Sequence, residues 1–466
     1  MQLITILDII ISPIYLIIIY VISRMIQKRR IDERPEYSIY LKALTAKISG
    51  GIALCLVYTI YYGGGDTTQY FTDSLIVNKL LFKNPVAGVD IIFKGLSRDK
   101  LYYFDAEIGY PAYWRDPSTS FVVQITTFFT MLGLRSFIPT TILVSWVSFI
   151  GIWNLYRVFL NEFPKMAKQM SIAVFFIPSL LFWGSGILKD TITLSATGFF
   201  VYAFYSTFII RRNVIRSLIM LFLAGYVIIT VKAYILIALL PGALIWLTGS
   251  ILSGIKGKFV KYAMTPLFLI FALGGAYILL MNMGSSLGKF SADQILERAV
   301  ISQRDLKSDW YRGNSFDIGE FDSSIGSILS VSHKALAAGA FRPFILEANN
   351  LMMFISGLEN LFFLFLFIRV LWLTKVVGFF RYFVGHPLLS FSLIFSVFFL
   401  FSVGLSTSNF GSLVRYKIPA IPFFAASMYI ITAEEKRKRL SKKFEFANEE
   451  EEAALLRQSQ VLQSPA

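Results

Sequence analysis

The sequence predicts an all-α fold: a polytopic transmembrane helical bundle. Three observations predict it. The chain is 56% hydrophobic and only 16% charged, with a mean hydropathy of +0.63, whereas a soluble chain is about a quarter charged. Apolar runs of roughly 15 to 25 residues, the length at which a helix crosses a hydrocarbon core, recur from end to end. The basic residues gather in the short connections between those runs, as the positive-inside rule predicts for cytoplasmic loops. A β-barrel is disfavoured, because its strands would alternate rather than run apolar.

That patterning also accounts for the net charge of +15. In a soluble protein such a charge would point to nucleic acid. Here it reads as topology plus attraction to anionic lipid, with the bilayer as partner and no nucleic acid. The single cysteine, Cys55, lies within an apolar run, so no disulfide framework is expected. His333 and His386 are far apart, and no His/Cys metal spacing is present.

Taken in order, the first span is expected at Ile4 to Met25. It lacks a leading basic segment and is followed by Lys28, Arg29 and Arg30, so it reads as a retained span rather than a cleavable signal peptide. Gln27 to Arg34 is basic and expected inside, which puts the N-terminus outside. The second span, Ile48 to Tyr62, returns to the outside and ends in Gly63-Gly64-Gly65-Asp66. Those glycines admit backbone angles closed to other residues, and Asp66 is placed to cap a helix from Thr67. On such a helix Asp66, Tyr70 and Asp73 share a face.

The first large extracytoplasmic loop is expected over about residues 63–118. Two apolar pieces follow, Phe121 to Leu134 and Ile138 to Tyr156, before the basic segment from Arg157 to Lys168. Passing from outside to inside takes an odd number of crossings, so one piece is expected to be re-entrant or interfacial. Ile172 to Trp183 goes out, kinked at Pro178, to a tight outside turn from Gly184 to Asp190. Thr191 to Ile210 returns to Arg211, Arg212 and Arg216. Ser217 to Leu252 is too long for one span and carries Lys232 in its middle, so two short helices joined outside near Lys232 are expected.

Lys256, Lys258 and Lys261 are expected inside, and Tyr262 to Met281 goes out to the second large loop, about 282–349. Within that loop Ile325 to Gly339 is amphipathic enough to lie on the membrane surface. Asn349 to Leu373 comes in, Pro387 to Gly404 goes out and Ile418 to Thr432 comes in. The total is about eleven spans, plus or minus one. Residues 1–433 form a single membrane domain. The charged tail, 434–466, has no apolar face on which to fold and is expected to be disordered and cytoplasmic.

The unusual polar clusters all fall in connections expected outside: Asp66/Tyr70/Asp73, Trp114/Arg115/Asp116, Lys189/Asp190, Arg342/Glu347 and Asn409/Arg415/Lys417. ATP and nucleotide sugars are not available there. A group-transfer enzyme on that side needs a donor carried in the membrane, such as a polyprenyl-phosphate sugar. Such a site needs a carboxylate that activates the acceptor or binds a divalent metal (Mg or Mn) that does so. Asp66 is the first candidate, with Asp73 and Asp116 in support. The lipid phosphate calls for cations near outside helix ends: Lys189, Arg342 with Glu347 beside it, Arg415 and Lys232. Tyr70, Trp114 and Trp310 are candidates to stack on sugar faces.

Each residue also has a plainer role. Asp190 caps a helix from Thr191, Lys189 and Lys232 snorkel to the headgroups, and Arg415 and Lys417 anchor the interface. Tyrosines and tryptophans at span ends form the aromatic belt. Glu359 is different: it falls about three turns into a span, where a carboxylate defaults to a functional or paired role.

Gly64-Gly65-Asp66 followed by Tyr70 resembles the signature of the GT-C class of integral membrane glycosyltransferases. In that class an acidic residue in the first large outside loop, just after a transmembrane helix, serves as base or metal ligand. The resemblance implies that role for Asp66. Three fragments resemble motifs of bacterial membrane proteins often grouped with these enzymes: Phe182 to Asp190, Phe341-Arg-Pro-Phe344 with Glu347, and Asn409-Phe-Gly with Arg415-Tyr416. The resemblance is diffuse over about residues 45–430. An extra span precedes the acidic loop, no Asp-Glu pair follows the glycines, and no soluble C-terminal domain is present.

The nearest competitor is the O-antigen polymerase and ligase group, which also works outside on lipid-linked sugars but relies on arginines. The 282–349 loop and the Arg342/Arg415 pair suit it. A transporter or flippase is a third reading, disfavoured by the lack of an internal repeat but kept open by Glu359. The expected function is transfer of a sugar from a polyprenyl-phosphate donor to a cell-surface polysaccharide or lipid acceptor, on the outside of a bacterial inner membrane.

Overall fold

The apolar runs fold as helices that bury small and polar residues together with a large aromatic and aliphatic core and turn further apolar side chains outward. The computed structural model describes residues 3–253, 292–306 and 315–462. In chain order the helices are α1 (Ile6–Arg30), α2 (Tyr40–Leu56), α3 (Asp66–Lys83), α4 (Pro85–Lys94), α5 (Pro117–Leu132), α6 (Phe137–Glu162), α7 (Ala167–Phe175), α8 (Pro178–Phe182), α9 (Lys189–Phe204) and α10 (Val214–Ser253). They continue as α11 (Ala292–Asp305), α12 (Ile325–Phe341), α13 (Leu351–Phe380), α14 (Pro387–Ser406), α15 (Phe410–Tyr416) and α16 (Ile421–Leu462). Among the described residues no strand forms.

Seven helices among the described residues are long and apolar enough to cross a membrane. They are α1, α2 with its extension to Tyr61, α6, α9 with its extension to Ile209, α10, α13 and α14. The expected count of about eleven treats Ser217 to Leu252 as two spans and includes Tyr262 to Met281, which lies outside the described residues, as do Lys256, Lys258, Lys261 and Trp310. α5, with 16 residues, is not among the seven.

At the centre α9 packs along both α6 and α10. The α6–α9 crossing is so close that a Cβ on Gly198 would stand 2.1 Å from the Gly151 carbonyl oxygen. Small residues at such a crossing let two backbones touch in a membrane, where packing rather than water exclusion holds helices together. α1 sits at the edge and turns Ile6, Ile9, Ile10 and Ile17 outward.

Three expectations are corrected and two are refined. Asp66 is the first residue of α3 rather than its cap. The cap position falls to Gly65 at φ 141°, whose amide donates to the Thr68 hydroxyl (2.9 Å), leaving the Asp66 carboxylate for other partners. The tight turn after Trp183 is enclosed by protein, since Gly184 to Leu188 are all buried. The Lys47 ammonium donates to the Gly184 carbonyl and the Ser145 hydroxyl to the Ser185 carbonyl, so protein satisfies the non-helical backbone. Ser217 to Leu252 is, as expected, two helices that meet at Lys232, the residue with non-helical angles (φ −148°, ψ 76°).

α12 does not stand apart on a surface but packs along α14. It buries Val331, Ala335, Ala338 and Gly339 against α14, where a Cβ on Gly404 would meet the Ala335 carbonyl oxygen at 1.9 Å. Finally, the tail from Glu434 is not without structure but continues α16 to Leu462. Its first turns are anchored: Tyr382 donates to Glu435 (2.6 Å), Lys438 to Tyr382 (2.9 Å) and Arg439 to the Leu373 carbonyl (2.7 Å).

Candidate functional site

Five chain segments far apart in sequence bring their polar residues to one place. Asp66 opens α3, Tyr113 lies between α4 and α5, Asp190 is in the first turn of α9, Lys232 marks the break in α10, and Arg415 is in the last turn of α15. The helix dipoles favour these placements, with carboxylates at helix starts and the guanidinium at a helix end.

Arg415 is the hub. Its Nη2 donates to Asp66 Oδ2 at 2.8 Å and to Asp190 Oδ2 at 3.2 Å, and its Nε donates to Asp190 Oδ2 at 3.3 Å. Lys232 donates to the other oxygen of Asp190. The Asp190 side chain is 0% exposed, whereas that of Asp66 is 38% exposed. Asp190 is thus the buried counter-ion that holds two cations, and Asp66 is the carboxylate at the mouth. Burying a carboxylate is costly unless it is both paired and hydrogen-bonded, and here it is both.

Aromatic faces complete the enclosure. The Arg415 guanidinium lies over Trp183 (5.4 Å to the ring centre) and the Lys232 ammonium over Tyr416 (5.0 Å). Burial works against the Arg415 charge, but Asp190, Tyr58 and Asp66 around it hold its pKa well above the ordinary value. Trp183 is carried by the buried turn that Lys47 fixes, so this turn positions both the platform beneath Arg415 and the start of α9.

The second carboxylate of α3 acts on the first through a tyrosine. Asp73 accepts from the backbone amides of Ala112 (3.0 Å) and Tyr113 (2.9 Å) and from the Gln69 side chain (2.8 Å). The same Tyr113 donates its hydroxyl to Asp66 Oδ1 at 3.4 Å, and its ring packs on Tyr70 at 5.2 Å. Burial, followed by the charges of Asp66 and Asp73, pushes the Tyr113 hydroxyl up to about 12, so it remains a donor at neutral pH. Burial also raises the Asp73 carboxyl, and the two amides and Gln69 pull it part of the way back.

The other expected site residues lie in separate arrangements. Asp116 caps α5 through the Ser118 amide and pairs with Lys189 at 3.0 Å, while Lys189 also donates to the Ser118 hydroxyl at 2.8 Å. Burial would raise the Asp116 carboxyl, but Thr119, Ser118 and Lys189 hold it well below the usual carboxylate range. Arg342 pairs with Glu347 (3.2 Å) and lies over Phe316 (5.2 Å), not against Asp66. Phe316 in turn stacks on Phe410, the first residue of α15, at 5.2 Å. Lys417 is fully enclosed and donates to Asn360 (2.5 Å) and to the Arg342 carbonyl (3.2 Å), so it braces that turn rather than anchoring an interface. Trp114 lies half-buried under the Arg115 guanidinium.

Glu359 has a structural partner. Its two oxygens accept from the amide and the hydroxyl of Ser179, both at 2.7 Å, which fixes the first turn of α8.

The sequence places Asp190 in a polar cluster or as a cap and Lys232 as a phosphate holder or a snorkelling lysine, without pairing the two, and it passes over Tyr113 and Lys47. One signal was present. A lysine in the middle of a long apolar run needs a buried counter-charge, and Asp190 is the acid at the start of the neighbouring helix. At Asp66 the carboxylate is already held by Arg415, which also reaches Asp190, while Lys232 holds the other Asp190 oxygen, and among the described residues no three of His, Cys, Asp and Glu converge. Comparison with protein-family models, with curated proteins and with solved structures finds no match.

Proposed function

We propose that this chain is a membrane glycosyltransferase. It transfers a sugar from a polyprenyl-phosphate donor to a cell-surface polysaccharide or lipid acceptor on the extracytoplasmic face of a bacterial inner membrane. The observation that carries the reading is the pairing of a part-exposed carboxylate, Asp66, with an enclosed guanidinium, Arg415, whose charge Asp190 fixes from behind.

In this reading the donor phosphate competes with Asp66 for Arg415. Its arrival releases the carboxylate at the moment an acceptor hydroxyl is beside it. The hydroxyl oxygen forms a bond to the anomeric carbon, and the bond between that carbon and the phosphate oxygen breaks. Asp66 takes the hydroxyl proton. Arg415 stabilises the negative charge that gathers on the departing polyprenyl phosphate. Tyr113 orients Asp66 through its hydroxyl. No step runs through a metal.

A second reading, polymerase or ligase chemistry on lipid-linked repeat units, is favoured by the central place of Arg415. In that case the guanidinium matters more than Asp66. The test is transfer of radiolabelled sugar from synthetic polyprenyl-phosphate donors by purified protein in lipid, beside folded Asp66→Asn. Transfer by the wild type and none by the variant supports Asp66 as base. Equal transfer by both removes Asp66 and moves the chemistry to the arginine.

A further inference from the structure

A cavity of about 680 Å³ opens at the other end of α9 and α10. α9 carries Asp190 in the cluster and Tyr202 in the cavity wall, and α10 carries Lys232 in the cluster and Arg216 at the cavity. Lys232 and Arg216 are separated by roughly sixteen residues, or about 24 Å of helix at 1.5 Å per residue. The cavity and the Asp66 cluster therefore lie toward opposite ends of the same helices.

Three basic connections that the sequence assigns to the inside meet here: the end of α1, the end of α6 and the start of α10. Arg30, Arg34, Arg157, Arg212 and Arg216 line the cavity against one carboxylate, Glu36. None of the five forms an ion pair among the described residues. Two are held in place by rings: Arg30 lies 5.8 Å from the centre of Tyr37, and Arg157 lies 5.5 Å from that of Tyr202. Deeper in the wall, Trp153 is only 4% exposed, and its indole N–H has no hydrogen-bond partner among the described residues. The lining also includes the apolar side chains Ile26, Ile150, Phe199, Ile210 and Met220.

Basic residues that serve only as topology signals extend separately to the headgroups. These instead face a shared concave space that combines guanidiniums without ion-pair partners among the described residues, a buried donor and apolar side chains. We infer that the cavity binds the phosphate headgroup of an amphiphile, with the arginines on the phosphate oxygens and the hydrocarbon chain against the apolar lining residues. This inference does not rest on the transfer reading of Asp66.

The test uses full-length protein in phosphatidylcholine nanodiscs, titrated by calorimetry with farnesyl diphosphate and, separately, with inorganic diphosphate; empty nanodiscs provide the blank. The expected result is saturable binding of farnesyl diphosphate that is weakened roughly tenfold by each of Arg157→Gln and Arg212→Gln, a factor within the range of one charged contact. Arg115→Gln, which is remote from the cavity, should bind as the wild type does. Unliganded melting temperatures identify any variant that fails to fold, and the exposed Arg212 provides the second variant. Inorganic diphosphate binding as tightly as farnesyl diphosphate would overturn the amphiphile in favour of a soluble phosphate. No binding, or equal binding by wild type and folded variants, would overturn the site itself.

Discussion

Arg415 Nη2 stands 2.8 Å from Asp66 Oδ2, joining the start of α3 to the end of α15. The contact closes the mouth of a cluster whose floor is Asp190. In the proposed reading an incoming phosphate takes over this partner of Asp66, because an arginine is matched as well by phosphate oxygens as by a carboxylate. Behind this pair the charges balance, with Asp66 and Asp190 set against Arg415 and Lys232.

That balance makes Asp190 the residue on which the cluster's stability depends. Asp190→Asn leaves Lys232 and Arg415 enclosed with too little counter-charge and should cost about 3–5 kcal/mol, as breaking a buried pair does. Lys232→Met in the same background should restore part of the loss. The double variant should therefore be more stable than the sum of the singles predicts by at least about 1 kcal/mol. Unfolding in mixed micelles measures this, and strict additivity would contradict the pairing.

Asp73 should act only through Tyr113. Asp73→Asn loosens the 112–113 backbone and Tyr113→Phe removes the hydroxyl on Asp66, so each should lower the transfer rate, by an amount on the order of tenfold. Adding Asp73→Asn to Tyr113→Phe should cause little further loss. A full multiplicative loss would give Asp73 a separate part in the chemistry.

The Asp116–Lys189 pair predicts a pH dependence of stability. The folded-state pKa of Asp116 lies below its ordinary value of 3.8. The carboxylate's contribution is therefore fully present above that value and is lost as pH falls through the folded pKa. The difference in melting temperature between wild type and Asp116→Asn should be largest near neutral pH and shrink as pH drops below 4. A difference that grows on acidification would contradict the assignment.

The membrane character and the glycine turn were legible in the sequence, which also singled out both Asp66 and Arg415, residues that the fold brings together. Hydrophobic length and a lone Gly-Gly-Gly-Asp are local signals, and local signals survive without a fold. Pairing between distant segments is not local. Asp190 and Lys232 were both visible as odd residues, but nothing in the linear order said that the break in α10 places the lysine on the first turn of α9. Asp73 reads as a second acid on the helix face of Asp66, and only the fold shows it bound to the 112–113 backbone. The burial of the turn after Trp183 was not legible for a related reason. Its Gly-Ser-Gly sequence is what an exposed turn would use, and the partners that allow burial, Lys47 and Ser145, come from two other helices. The tail was misjudged because charge alone was weighed, without the anchors that Tyr382 and Leu373 provide.

The central claim is that Asp66 and Arg415 work as one unit on a lipid-linked donor. The most direct measurement is single-turnover sugar transfer from a polyprenyl-phosphate donor by the wild type, Asp66→Asn, Arg415→Lys and the double variant, each shown to be folded. The account predicts that each single change lowers the rate by roughly 10²-fold or more and that the double variant is no worse than the poorer single, as for groups that act together. Losses that multiply in the double variant, or single variants that transfer like the wild type, would contradict it.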